Sequence, residues 1–536
     1  MVASSKFDGS RAGVLAPGNL ADWRNPHPLG GDMTISTPPT DTPRKQNKNA
    51  ILILACLAQF MVILDVFVVN VALPDIRRAL GFSQGDLQWV VNAYTVTFGG
   101  FLLLGGRAAD LLGRRRVFVF GLLLFSVASI AAGLADTRAE LIIARLVQGL
   151  GGAVIAPASL SILTTTFTEP AERHRAIGIW GAVGGAGGAA GVLLGGAIVE
   201  ALNWRWVFYI NVPIGLVCAV LAAYMIAESF NPNATRVFDV IGAVLATAGL
   251  SLLVFGIVRT DTTGWGDATT LALIIAGVVV LAGFLVNEGR FAKAPLMPLR
   301  LFRSRSLSGA NVIVMIIGAS TFGMWFFFSL YLQQVRGYSP LHAGLVFLPM
   351  TLALMIGGVI ASRLTARVGA RRLLILGMSL LTAGLALFSQ VHVHTHYFGV
   401  TLAASMLVSI GMPLAFIPST ILATSGIAQN EAGIASAILN TARMFGGALG
   451  LAVLVALATT HSNHLLKHPT ASVHRVNHAL VSGYDLAFLV AACMAAAGIL
   501  VAAFVAPKPA ADPSEGAELD GAVAPPAAPR ATPSVR

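Results

Sequence analysis

Gly106-Arg-Ala-Ala-Asp-Leu-Leu-Gly-Arg-Arg-Arg116 is a short basic turn with a long apolar run on either side, at about 88–109 and 117–134. Each run holds close to the roughly 20 apolar residues that a bilayer-crossing helix needs. A second copy of the turn, Ser362-Arg-Leu-Thr-Ala-Arg-Val-Gly-Ala-Arg-Arg372, stands between runs at about 342–364 and 372–391. Arg363 matches Arg107, and Gly369 matches Gly113. The repeat predicts two similar halves, and repeated halves that rock about a central site are a transporter design.

Beyond the four runs that flank these turns, ten further runs complete about fourteen spans. The ten others outside the repeat have cores near 51–73, 140–161, 177–199, 207–227, 238–258, 270–288, 309–332, 398–421, 436–459 and 483–505. The predicted fold is an all-α integral membrane protein, with two six-helix bundles at 49–230 and 291–506 and two inserted helices at 231–290. Residues 1–48 and 507–536 are polar or Pro- and Ala-rich and are expected to be disordered tails. The N-terminal tail has no apolar segment suited to a cleaved signal peptide.

The composition agrees. Of 536 residues, 56% are hydrophobic and 11% charged, against about 25% charged in soluble domains. The net charge of +11 sits in short clusters between apolar runs, which argues against nucleic-acid binding and for topology-setting loops. Arg44, Lys45, Lys48, Arg114–Arg116, Arg173, Arg175, Arg236, Arg290, Lys293, Arg300, Arg303, Arg305, Arg363, Arg367, Arg371 and Arg372 fall on one side. That excess predicts both termini in the cytoplasm of a multi-pass plasma-membrane protein. Cys56, Cys218 and Cys493 lie in apolar runs and are not placed for disulfides.

The first span carries Asp65, with apolar neighbours along the chain. An intramembrane carboxylate is costly unless paired or protonated, so it is a candidate proton carrier. Arg145 in the fourth span is its natural counter-charge, and Arg145, Gln148 and Gly152 share one helical face. In the turn, Gly106 and Gly113 allow close approach, while Arg107, Asp110, Arg114 and Arg115 make a charge cluster able to lock one conformation. Gly184 with Gly188, and Gly187, Gly191 and Gly195, make a strip of four-residue spacing for close helix packing. Phe322, Trp325 and Phe328 share a face that would form either an aromatic cavity wall or lipid-facing bulk. Arg443 in the thirteenth span is a second intramembrane cation, for an anionic substrate group or a structural contact. Asp65 is the one deep acid, which favours neutral or singly charged lipophilic substrates. His392, His394, His396, His461, His464, His468, His474 and His478 fall on expected outer loops.

Together these motifs resemble the major facilitator superfamily, in its fourteen-helix drug:proton antiporter branch. The resemblance covers nearly all of residues 50–505. It rests on Leu64–Pro74, Gln88–Tyr94, Gly106–Arg116, Arg145–Ala153, Trp204–Gly215, Tyr338–Pro349 and Asn440–Gly450. Gly191-Val-Leu-Leu-Gly-Gly196 departs from the pattern, with Val192 where the antiporter motif has proline. The resemblance implies alternating access and proton-driven efflux, with coupling by Asp65 and Arg145 and gating by the 106–116 loop. Asn70, Asn92, Gln148, Phe322, Trp325 and Arg443 are the candidates for the substrate cavity. The implied partners are the lipid bilayer, protons and a small lipophilic substrate, with no cofactor, metal or nucleic acid; the oligomeric state stays open. Uptake of a metabolite on the same fold is the alternative. A membrane enzyme is disfavoured, because no nucleophile triad, metal-ligand cluster or nucleotide loop appears and no glycine-rich segment ends in Lys-Ser/Thr.

Overall fold

The computed structural model describes residues 47–230, 238–393, 395–428, 431–466 and 473–505. Both tails, and Arg44, Lys45, Arg236, His394 and His468 with them, lie outside the described residues. The helices of the first half are α1 (Lys48–Leu80), α2 (Trp89–Leu112), α3 (Arg114–Leu134), α4 (Arg138–Thr166), α5 (Pro170–Ala201), the one-turn α6 (Trp206–Tyr209) and α7 (Asn211–Met225). An inserted pair follows, α8 (Val240–Thr263) and α9 (Ala268–Val286). The second half comprises α10 (Arg305–Leu330), α11 (Pro340–Val368), α12 (Ala370–Phe388), α13 (Leu402–Thr424), α14 (Ala432–Leu465) and α15 (Val473–Val505). With α6 and α7 continuous as one span, 14 helices among the described residues are long and apolar enough to cross a membrane.

The helices start where side chains satisfy their free backbone amides. Asn47 accepts from Ala50 N, and Thr137 with Glu140 forms a reciprocal capping box at α4. The two repeated turns adopt the same backbone solution. Gly113 and Gly369 have φ of 104° and 87°, a region open to glycine at little cost, and each starts the next helix directly.

Within each half the pairings repeat: α1 on α5 and α3 on α4 in the first, α10 on α14 and α12 on α13 in the second. The expected glycine strip is a packing surface. Cβ atoms added at Gly187, Gly191 and Gly195 would stand 3.0, 2.8 and 3.0 Å from Phe60 O, Leu64 O and Val68 Cγ2 of α1. Gly188 faces the Phe67 ring and Gly184 the Gln59 side chain of α1. In the second half, Gly446 and Gly450 of α14 meet Met315 and Ala319 of α10 in the same way. The inserted pair forms a hairpin through Gly249, Gly256 and Gly277, and α8 lies against both α2 and α14. The outer side of α9 exposes Leu271, Ile275, Val278 and Val279, an apolar face suited to lipid.

Hydrogen bonds between the halves cluster near the face opposite Lys48. Ser329 donates to the Asn70 carbonyl at 2.6 Å and Gln333 to the Val71 carbonyl at 3.0 Å. Arg77 donates to Gln334 at 3.3 Å, Gln84 to the Tyr484 hydroxyl at 3.1 Å, and Leu341 N to Glu200 at 3.0 Å. Thr441 adds a bond to the Gly99 carbonyl at mid-depth, 3.3 Å. Among the described residues no such hydrogen bond joins the halves on the face that carries Lys48 and the Gly113 turn. The described bonds close the face that carries Arg77 and Glu200.

Candidate functional site

The first half encloses a charge network that touches neither water nor lipid. Asp65 on α1 and Arg145 on α4 are 0% and 1% exposed. Arg145 Nη1 donates to Asp65 Oδ2 at 2.6 Å. Asp65 Oδ1 accepts from Gln148 Nε2 at 2.7 Å and from Asn211 Nδ2 at 2.9 Å. Arg145 also donates through Nε to the Val90 carbonyl at 2.9 Å and through Nη1 to Gln148 Oε1 at 2.7 Å. Gln148 Nε2 is shared with Ser129 Oγ of α3 at 2.9 Å. Tyr94 of α2 lies under the guanidinium, with Cζ 4.5 Å from the ring centre, a cation–π contact strengthened by the lack of water.

Five spans thus converge on one carboxylate. Two charges removed from water are tolerated when the geometry is close and the remaining polar atoms are occupied. Here Asp65 has three donors, while the Tyr94 hydroxyl and Asn211 Oδ1 are buried without a partner. The apolar surroundings read along the chain are misleading: neighbours in sequence point elsewhere, and the polar ones arrive from α3, α4 and α7. Ser129, Tyr94 and Asn211 were not foreseen as site residues. Tyr94 and Asn211 lie inside stretches that carry the family resemblance, whereas Ser129 gives no signal beyond a hydroxyl in an apolar run.

The 106–116 turn carries a second cluster. Asp110 Oδ1 accepts from Arg114 Nη2 at 3.0 Å, and Arg114 Nε reaches Ser161 Oγ of α4 at 2.6 Å. Glu228, just beyond α7, accepts from the backbone amides of Arg115 and Arg116 at 3.1 and 3.3 Å. Gly106 packs at the level of Pro157 on α4, and Arg107 is half-buried in the last turns of α2. The copy at 362–372 contains no acid, so this charge cluster belongs to one half only.

The residues suggested for a substrate cavity are dispersed. Gln148 and Asn92 are both 0% exposed: Gln148 is part of the Asp65 network, and Asn92 donates to Gln88 at 3.3 Å. Neither lines an open space in this conformation. Asn70 donates to the Val66 carbonyl at 2.8 Å and is covered by α10. Trp325 stacks on Phe347 of α11 at 5.2 Å and meets Phe67 of α1 edge-on at 4.8 Å, so it joins the halves instead of facing lipid. Phe322 is half-buried, its ring against Gly447. Arg443 lies on α14 with its guanidinium 5.6 Å from the Phe416 ring centre.

Two expectations change. Asp485 is a second acid within a span, half-buried on α15, so Asp65 is not alone. His461, His464, His474 and His478 lie in helical turns at the ends of α14 and α15, not in loops, and His461 Nε2 is 2.9 Å from Ser482 Oγ. No group of three or more His, Cys, Asp or Glu positioned to hold a metal occurs among the described residues.

The sequence profile of the Major Facilitator Superfamily matches residues 55–451. The chain is 44% identical over 416 residues to the cephamycin export protein CmcT of Amycolatopsis lactamdurans, covering 77% of this chain and 86% of that protein. It is 38% identical over 440 residues to the puromycin resistance protein pur8 of Streptomyces alboniger, covering 81% and 87%. It is 36% identical over 403 residues to the tetracenomycin C resistance and export protein of Streptomyces glaucescens, covering 75% and 74%. Among solved structures, the inward-facing, unoccupied bacterial homolog of the human lysosomal transporter Spinster superposes with a TM-score of 0.61 at 16% identity. That match covers 86% of this chain and 99% of the other, and speaks to the fold alone.

Proposed function

The chain belongs to the Major Facilitator Superfamily, and from that premise we propose that it is a proton-driven exporter of small lipophilic compounds. The observation that supports this most is the dry Asp65–Arg145 pair, held by Gln148 and Asn211. In alternating access, a proton carrier must be shut off in one state and open in another. Asp65 is shut off here. Separation of α1 from α4 would expose the carboxylate and let it take a proton. Protonation would remove the charge that offsets Arg145, which keeps its own proton, and the site would then favour the separated arrangement. The relatives are named for cephamycin export, puromycin resistance, and tetracenomycin C resistance and export; these names support outward movement of small compounds by this chain.

The basic residues of the 106–116 turn and of the turn between α11 and α12 support a cytoplasmic position at the plasma membrane for the face that carries Lys48. The sealed face is then the outer one. Gly106, Arg107, Asp110, Gly113, Arg114 and Arg115 act as the gating loop, tightening onto the second half only when the cytoplasmic side closes. The six-helix bundles are assigned to 49–230 and 291–506, with 231–290 as the inserted pair. Asn70, Phe322, Trp325 and Arg443 are assigned to the cavity between them, with Asn92 and Gln148 reaching it only when the helices part.

Everted membrane vesicles containing the protein and energised by respiration should accumulate a lipophilic fluorescent compound, and a protonophore should release it. Uptake that survives the protonophore, or movement in the opposite direction, would contradict the reading.

A further inference from the structure

Arg443 sits on α14 between two residues that touch the first half. Thr441 Oγ1 donates to the Gly99 carbonyl at 3.3 Å, and a Cβ on Gly99 would stand 2.7 Å from Met444 Cβ. The guanidinium therefore lies at the depth of the boundary between the halves, and the contact on its face is the apolar ring of Phe416. Arginine stays ionised in such a place, and a cation withdrawn from water is stable where acceptors or a counter-charge offset the lost hydration. Arg145 in the first half has Asp65, Gln148 and a backbone carbonyl. Arg443 differs: no carboxylate among the described residues makes an ion pair with it, Asp485 included. Its buried Nε has no acceptor. The residue as a whole is only partly buried.

We propose that Arg443 receives the anionic group, a carboxylate or sulfonate, of a lipophilic compound carried by the protein. The planar fork suits two-point binding of such a group, and the rings of Phe416 and Phe322 provide apolar contact for its body. This rests on the export reading for the identity of the ligand as cargo. The preference for an anion stands on the local chemistry.

The test uses the full chain in nanodiscs of neutral lipid. The probes are a fluorescent naphthalene sulfonate and its uncharged sulfonamide, followed by anisotropy. Wild type should bind the sulfonate more tightly than the sulfonamide. Arg443→Gln should weaken sulfonate binding about tenfold or more while leaving the sulfonamide within about twofold, and Arg443→Lys should keep a preference for the sulfonate. Equal loss for both probes in Arg443→Gln, or no preference in wild type, overturns the proposal. Should Arg443→Gln not fold, Arg443→Met takes its place: loss of the sulfonate preference with sulfonamide binding kept supports the proposal, and an unaltered sulfonate preference overturns it. A lipid phosphate offers the same chemistry. Sulfonate binding abolished by a small mole fraction of phosphatidylglycerol, with no transport of the sulfonate, assigns the site to a lipid and overturns the cargo reading. If vesicles show no proton-driven export of any compound while the sulfonate preference persists, the export reading falls and the anion site stands.

Discussion

Asp65 and Arg145 should behave as one unit in a double-substitution cycle. Both are withdrawn from water and 2.6 Å apart. Removing one member of a buried pair strands the other, at a cost of about 3–5 kcal/mol. Asp65→Asn leaves the Arg145 guanidinium without its counter-charge, and Arg145→Gln leaves the carboxylate with only Gln148 and Asn211 as donors. If the effects were independent, the double variant would lose about 6–10 kcal/mol, the sum of two such costs. The double variant strands no charge. It forfeits the pair's own hydrogen bond and the Arg145 bond to Val90, at about 1 kcal/mol net each. Its loss should therefore fall short of the sum by at least about 3 kcal/mol. Unfolding of the four purified proteins by sodium dodecyl sulfate titration, followed by far-ultraviolet circular dichroism, measures this directly. Additivity to within about 0.5 kcal/mol would mean that the two charges do not hold each other in the folded protein.

The glycines of the helix contacts differ in a way that stability measurements can resolve. A Cβ at Gly446 would stand 2.1 Å from the Met315 carbonyl, whereas one at Gly178 would meet nothing within 4 Å; Gly446→Val should destabilise by roughly 2 kcal/mol or more, and Gly178→Ala should be neutral or stabilising by up to about 1 kcal/mol. On the sealed face, Gln334→Leu removes the acceptor used by Arg77 and Tyr484, so a cysteine introduced at Ser329 should be labelled severalfold faster by an impermeant maleimide than in the Gln334 background. An unaltered labelling rate would show that this cluster does not hold the face closed. At the opposite end, hydrogen bonding to Arg300 holds the Glu431 carboxyl below the usual carboxylate range. A lowered folded-state value means the contribution is present at neutral pH and lost as pH falls below the ordinary value of 4.5. Glu431→Gln should therefore lower thermal stability slightly at pH 7 and in low salt, with the difference shrinking as the buffer is acidified. A difference that grows on acidification would reverse the assigned sign.

The spans were legible because lipid demands long apolar runs and short basic turns, and nothing in the folded protein overrides that demand. The expected core 51–73, for example, falls inside α1 (Lys48–Leu80). Helix ends were less legible: His461 and His464 continue α14 well past the apolar segment, because a helix need not stop where the membrane does. The Asp65–Arg145 pairing could be anticipated from charge alone, as buried opposite charges in neighbouring spans have few other solutions. The remainder of the network could not. When a helix is apolar on all sides, its periodicity does not reveal which face turns toward which neighbour. Ser129 and Asn211 join Asp65 through rotations and crossings that only packing determines. The same ambiguity affected Trp325, whose aromatic face could equally have met lipid until Phe67 and Phe347 were seen to enclose it.

Export as proposed depends on Asp65 carrying the driving proton. The most direct measurement is in proteoliposomes with an acidic lumen, with internal pH and movement of a lipophilic fluorescent compound recorded together for wild type and Asp65→Asn. Wild type should accumulate the compound while the lumen loses protons, and Asp65→Asn should do neither although it still binds the compound. Equal proton loss and equal accumulation by both proteins would contradict this and remove Asp65 from the coupling step.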